Sequence, residues 1–143
     1  MNRFFKITIL ITFIISFFGI SFSAENYFSE GVKLFKNKKY EDAKFLLERS
    51  IVYDPKHANS YLYLAKIYNE QEDQKNEEKN LEATILIDPT NEEAILMLME
   101  IGVKNTDYSK IKKLSERFSK VCTKLCEKNK KILKDLKNLE PKK

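Results

Sequence analysis

Cys122 and Cys126 are the only cysteines of the chain, and their spacing of four places both on one face of a helix. Three chemistries compete for such a pair: small buried hydrophobes or free thiols, an oxidised pair, or half of a metal site. A disulfide across this spacing strains a regular helix, because the Cα separation and Cβ directions fit poorly. A metal needs more ligands than the neighbourhood offers. Packing or free thiols is therefore favoured, with an intermolecular bond in an oxidising compartment next. His57 is the single histidine, follows Lys56 in a turn-like segment, and reads as surface. No second histidine exists to form a dyad with it. The chain has no glycine-rich phosphate loop and no nucleophile elbow. Its carboxylates are scattered along amphipathic stretches, where they are normally just solvated. No catalytic residue, metal or cofactor is expected, and the chain does not read as an enzyme.

The elements that hold these residues must be helices. A length of 143 residues suits one domain, and only three Gly and three Pro exclude collagen-like, linker-like and turn-rich all-β classes. With 43% apolar and 33% charged residues, the composition is globular rather than disordered. The basic residues are 23 Lys against 3 Arg. That balance argues against nucleic acid, because Lys cannot reproduce the guanidinium fork. The first residues read differently from the rest. Arg3 and Lys6 precede an uncharged apolar run over 7–22, followed by small residues at Ser21, Ser23 and Ala24. This is the pattern of a secretory signal peptide covering 1–23. Cleavage after Ser23 puts small side chains at both recognition positions. The alternative is an uncleaved inner-membrane anchor. The run falls short of the roughly 20 residues a spanning helix needs, and Gly19 interrupts it. Export, most simply to a periplasm, is the expectation.

A period of 34 residues organises the rest of the chain. Asp54 and Pro55 recur as Asp88 and Pro89, and the same shift places Tyr27 on Tyr61, Leu47 on Leu81, Glu48 on Glu82 and Ile51 on Ile85. Twice that interval carries Tyr40 onto Tyr108. Within each copy the apolar residues fall at helical spacing in two runs. Each proline follows a second run, where its fixed φ and missing N–H end a helix without interior cost. Thr90 or Asn91 is placed to cap the next helix, with Glu92 and Glu93 favourable in its first turn.

These residues resemble the tetratricopeptide repeat family over residues 24–125. The signature positions hold Tyr27, Gly31, Leu34, Ala43, Leu47, Ser50 and Pro55 in copy one, and Tyr61, Leu64, Ala65, Tyr68, Leu81, Thr84 and Pro89 in copy two. The copies are 24–57, 58–91 and a degenerate 92–125. In the departures, Glu30 stands where copy two has Leu64, and Glu77 stands where copy one has Ala43. Gly102 stands where a large residue is usual, and Thr123 replaces the last proline. The resemblance implies an all-α solenoid of about three antiparallel helix pairs whose groove, lined by each first helix, holds a peptide or helix of a protein partner. It places Phe28, Val32, Phe35 and Lys36 on that groove, with Asn59, Leu62, Tyr63, Lys66 and Asn69 from copy two and Leu96 and Met97 from copy three. Some relatives clamp an acidic peptide terminus with Lys, Asn and Arg there. Phe28, Val32, Tyr63, Glu93 and Met97 stand in those places here, so that clamp is absent.

Stacked repeats need a cap, and the tail is expected to supply a long one. Ile111, Phe118, Leu125, Ile132 and Leu139 recur every seven residues, and no Gly or Pro interrupts residues 108–139. A single helix is expected there, with a bend near 127–131 where Lys128 breaks the apolar seam; residues 126–143 form a basic extension. Charge is polarised. Residues 25–103 hold 10 basic and 16 acidic residues, whereas 104–143 hold 14 and 5. The functional expectation is an exported, non-catalytic adaptor in a cell-envelope assembly, such as outer-membrane protein assembly or a periplasmic flagellar-motor structure. The alternative is a peripheral membrane or peptidoglycan-associated structural protein that uses its basic tail on anionic surfaces.

Overall fold

The computed structural model describes residues 23–139; the expected signal peptide, apart from Ser23, lies outside the described residues, as do residues 140–143. The described chain folds into α1 (Ala24–Lys36), α2 (Tyr40–Tyr53), α3 (Ala58–Glu70), α4 (Gln74–Ile87), α5 (Glu92–Lys104), α6 (Tyr108–Val121) and α7 (Cys126–Leu139). Consecutive helices pair as α1 with α2, α3 with α4 and α5 with α6. The pairs stack through α2 on α3 and α4 on α5, and α7 covers α5 and α6. None of these helices is long and apolar enough to cross a membrane.

The period is visible in the backbone. Lys38, Glu72 and Thr106, each 34 apart, have φ of 59°, 57° and 54°. The residue after each donates its N–H back across the helix end: Lys39 to Leu34 at 3.0 Å, Asp73 to Tyr68 at 2.9 Å and Asp107 to Gly102 at 2.9 Å. This left-handed stop is the one normally given to glycine, and it is most costly for β-branched Thr106. Thr106→Gly should therefore raise the unfolding free energy by about 1 kcal/mol in urea titration; no gain would mean the turn carries no strain.

Between pairs, Asp54 and Asp88 are extended, as the following proline requires. Their carboxylates accept the N–H groups of Lys56 and Thr90, each at 3.0 Å. Asn91 is the residue that caps α5, accepting from the Ala94 N–H at 3.0 Å. Close helix approach explains two small residues. A Cβ on Gly31 would stand 3.0 Å from Leu47, and one on Gly102 would stand 2.8 Å from Ile111. Ile111 thus fills the space left by Gly102 in the degenerate copy.

Two apolar clusters form the core. One gathers Ala43, Leu47, Leu64 and Ile67 under the rings of Phe28, Phe35, Tyr40 and Tyr63. The larger joins Leu62, Leu81, Ile95, Leu98, Met99, Ile101, Ile111 and Phe118, and α7 closes it with Ile132 and Leu133. Here the expected uninterrupted helix is corrected. The helix stops at Val121, Cys122 is extended (φ −64°, ψ 135°), and α7 starts at Cys126. The break thus lies upstream of residues 127–131. Cys122 falls 34 residues after Asp88, so the repeat register that ends α2 and α4 also ends α6. The expectation of free or merely packed thiols is corrected with it: Cys122 and Cys126 form a disulfide with Cα atoms 5.4 Å apart. The objection to this pairing assumed a regular helix, and none runs through these residues.

Candidate partner-binding face

The first helices of the first two pairs bring four of the expected groove residues, Phe28, Phe35, Tyr63 and Lys66, into contact. Tyr63 of α3 meets α1 edge-on at two rings, with centroids 5.6 Å from Phe28 and 5.4 Å from Phe35. Each ring remains half-buried. Such edge-to-face pairs stabilise by about 0.5–1.5 kcal/mol beyond simple burial. Lys66, one turn on from Tyr63, holds its Nζ 4.4 Å from the Tyr63 ring centre and 2.9 Å from the Glu93 carboxylate of α5. A ring–cation–carboxylate line thus crosses from α1 to α5. Val32 is half-buried on α1, while Lys36 and Asn59 are exposed. Met97 is half-buried against the larger core.

Two expected groove residues are placed otherwise. Leu62 and Leu96 are each only 4% exposed and belong to the core. Asn69 turns its amide to Glu77, donating to Oε1 at 2.9 Å. Glu77 occupies the position of Ala43 and is buried, which pushes its carboxyl above the usual carboxylate range; the Asn69 hydrogen bond and nearby Lys104 act against that push. One amide thus makes a carboxylate tolerable where a small apolar residue is usual.

His57 is not a free surface residue, because α1 covers it. Its side chain is 17% exposed, its ring lies 4.7 Å from that of Phe28, Nδ1 is 2.8 Å from the Ser60 hydroxyl and Nε2 is 3.3 Å from Glu25. A carboxylate, an imidazole and a hydroxyl in line look like a hydrolytic triad, but the proton directions exclude it. Ser50 donates to the Ala24 carbonyl at 2.8 Å, so it must accept from Ser60 at 2.9 Å. The Ser60 proton is thereby committed, and His57 must donate from Nδ1 rather than accept there. Ser60 is also fully buried. The chain of hydrogen bonds joins the start of α1 to α2 and α3; it presents no nucleophile. Among the described residues no cluster of three or more His, Cys, Asp or Glu could hold a metal.

Glu92 lies in the first turn of α5, as the sequence leads one to expect, and has a second task that sequence reasoning missed. Its carboxylate accepts the N–H groups of Thr123 at 2.7 Å, Lys124 at 3.1 Å and Leu125 at 2.7 Å, plus the Thr123 hydroxyl at 2.7 Å. The Thr123 hydroxyl chiefly, and these N–H groups with it, hold its carboxyl down at about 2. It fills the open loop ahead of α7, where unpaired N–H groups favour an anion.

No protein-family model matches the sequence, and no curated protein matches it significantly. Solved structures do resemble it. The first TPR domain of Spaghetti (RPAP3), bound to the HSP90 peptide SRMEEVD, is 18% identical with a TM-score of 0.69, covering 82% of this chain and 98% of that one. The Sgt2 TPR domain from Aspergillus fumigatus is 16% identical with a TM-score of 0.67, covering 86% and 90%. The Yersinia enterocolitica type III secretion translocator chaperone SycD is 13% identical with a TM-score of 0.65, covering 81% and 89%. Three helix pairs at a 34-residue period with a capping helix, an architecture shared with these domains, make this chain a tetratricopeptide-repeat fold.

Proposed function

We propose that the chain is a non-catalytic adaptor that holds a segment of a protein partner on the face of α1, α3 and α5. The observation that carries this is the half-buried aromatic line of Phe28, Tyr63 and Phe35, flanked by Lys66 and by exposed Lys36 and Asn59. Rings left partly open beside a few polar groups favour a protein surface. The HSP90 peptide bound to a domain of the same fold supports the mode. The partner need not have an acidic terminus, since the clamp residues are replaced by Phe28, Val32, Tyr63, Glu93 and Met97. The setting we propose is the cell envelope after export, in outer-membrane protein assembly or a periplasmic flagellar-motor structure. The signal-like start of the sequence and the disulfide support an oxidising compartment.

The test is photo-crosslinking from position 59 in envelope fractions. One discrete protein adduct is expected, reduced roughly tenfold by Tyr63→Ala and absent when the probe is moved to exposed Leu86 on α4. Adducts that ignore Tyr63→Ala, in a variant that still melts cooperatively, would overturn the reading. Changing Lys134, Lys137, Lys142 and Lys143 to Gln, which leaves Ile132 and Leu133 in the core, separates the alternative: a face binder keeps its adduct, whereas a protein anchored by its basic tail loses its location.

A further inference from the structure

α5 and α7 carry matching triads at helical spacing: Glu100, Val103 and Lys104 on one, Lys128, Lys131 and Ile132 on the other. They line an open cleft of about 470 Å³. Val103 and Ile132 form its apolar floor and pack on the larger core. Lys104, Lys128 and Lys131 form its rim, and none of the three has a salt-bridge partner among the described residues. The cleft therefore sets three lysines around an apolar patch, opposed by Glu100 on its lining and by Glu77, which lies within electrostatic reach of Lys104. Its occupant must be anionic and must offer one apolar group to the floor. An acyl chain would need apolar walls on all sides, whereas only Val103 and Ile132 are apolar here. A peptide carrying carboxylates on either side of one apolar side chain matches both features.

We propose that the cleft between α5 and α7 seats an acidic stretch of a partner protein, with one apolar side chain of that stretch resting on Val103 and Ile132. The inference builds on the adaptor reading and gives its partner a chemistry. α5 also supplies Glu93 and Met97 to the aromatic face, so one partner segment can run from Tyr63 to α7.

The test uses the full mature chain and a fluorescent peptide in which one leucine is flanked by pairs of glutamates. Binding is expected, with affinity falling roughly tenfold in K128E/K131E and several-fold on raising salt, as exposed charge attraction requires. Both lysines are exposed, so the variant should melt as the parent does. K128Q/K131Q, which adds no repulsion, should show a smaller loss of the same sign. A glutamine-substituted peptide should bind no better than background. Failure of the acidic peptide to bind, or binding indifferent to both lysine variants, would overturn the proposal. So would binding to vesicles of equimolar phosphatidylglycerol and phosphatidylcholine without binding to the peptide. A surviving Tyr63-dependent crosslink from position 59 would then leave the adaptor reading intact while this inference fell.

Discussion

Phe118→Ala is expected to destabilise the fold by about 3–5 kcal/mol, the range for removing a buried phenyl ring. The ring is fully buried in the larger core, beneath α7 and beside Ile95, Ile101 and Ile111. Small domains have only about 5–15 kcal/mol to lose. The variant should therefore lose its helical circular-dichroism signal at much lower urea than the parent. The register makes a sharper version available. Phe118 lies 34 residues after Thr84 and 68 after Ser50, which are also fully buried. Ser50 spends its hydroxyl on Ala24, and Thr84 donates its own to the Asn80 carbonyl at 2.9 Å. Phe118→Thr makes the third copy more like the second, yet it should cost nearly as much as alanine. α7 packs on α6 at this level, where Asn129 bonds Ser115 and Ser119, and its Ile132 and Leu133 join the cluster that holds Phe118 and need apolar partners there. Equal stability of Phe118→Thr and the parent would show that α7 does not complete the core.

The fold was legible because its period is written twice over, in Asp54 with Pro55 and again in Asp88 with Pro89. Those residues fix where helices end, and helix ends set the pairs. What escaped lies where a long-range partner overrides local signals. No local breaker stands between Val121 and Cys126, and apolar residues continue every seven positions, so propensity favours one helix. The break is held from α5, 30 residues away in sequence, by Glu92 and by a disulfide that only a broken helix accommodates. The register itself was the available signal, since Cys122 repeats the Asp88 position. His57 escaped for the same reason: its neighbours are Glu25 and Phe28, 32 and 29 positions upstream. Of the expected groove residues, Phe28, Phe35, Tyr63 and Lys66 are brought into contact, while Leu62 and Leu96 lie one step round the helix, in the core. Helical spacing gives a face only to within such a step.

Removing Glu92 and the disulfide together should release α7, whereas removing either alone should not. The two locks act on the same loop. Glu92 holds the backbone N–H groups of Thr123, Lys124 and Leu125, and the bond between Cys122 and Cys126 closes that loop from outside. With one lock present, the packing of Ile132 and Leu133 keeps α7 seated. With both absent, a 14-residue lysine-rich helix has too little packing to persist, because isolated helices of that length are marginal in water. Reduced Glu92→Gln protein should thus lose amide-exchange protection across α7 and about a seventh of its helical signal, while α1 to α4 remain protected. The pH dependence has a definite sign. Glu92 titrates at about 2 in the fold, below its ordinary value of 4.5. Its contribution is therefore complete above about pH 4.5 and is lost as pH falls towards 2. Reduced parent protein should release α7 across that acid window. Oxidised protein should hold it, and reduced Glu92→Gln should already have released it at neutral pH. Undiminished α7 protection in reduced Glu92→Gln protein would show that apolar packing alone sets the break between α6 and α7. The lysines of α7 would then line the cleft whatever the state of Glu92 or the cysteines. If release occurs, binding of the acidic peptide must fall with it, because Lys128 and Lys131 reach the cleft only while α7 stays seated on α5.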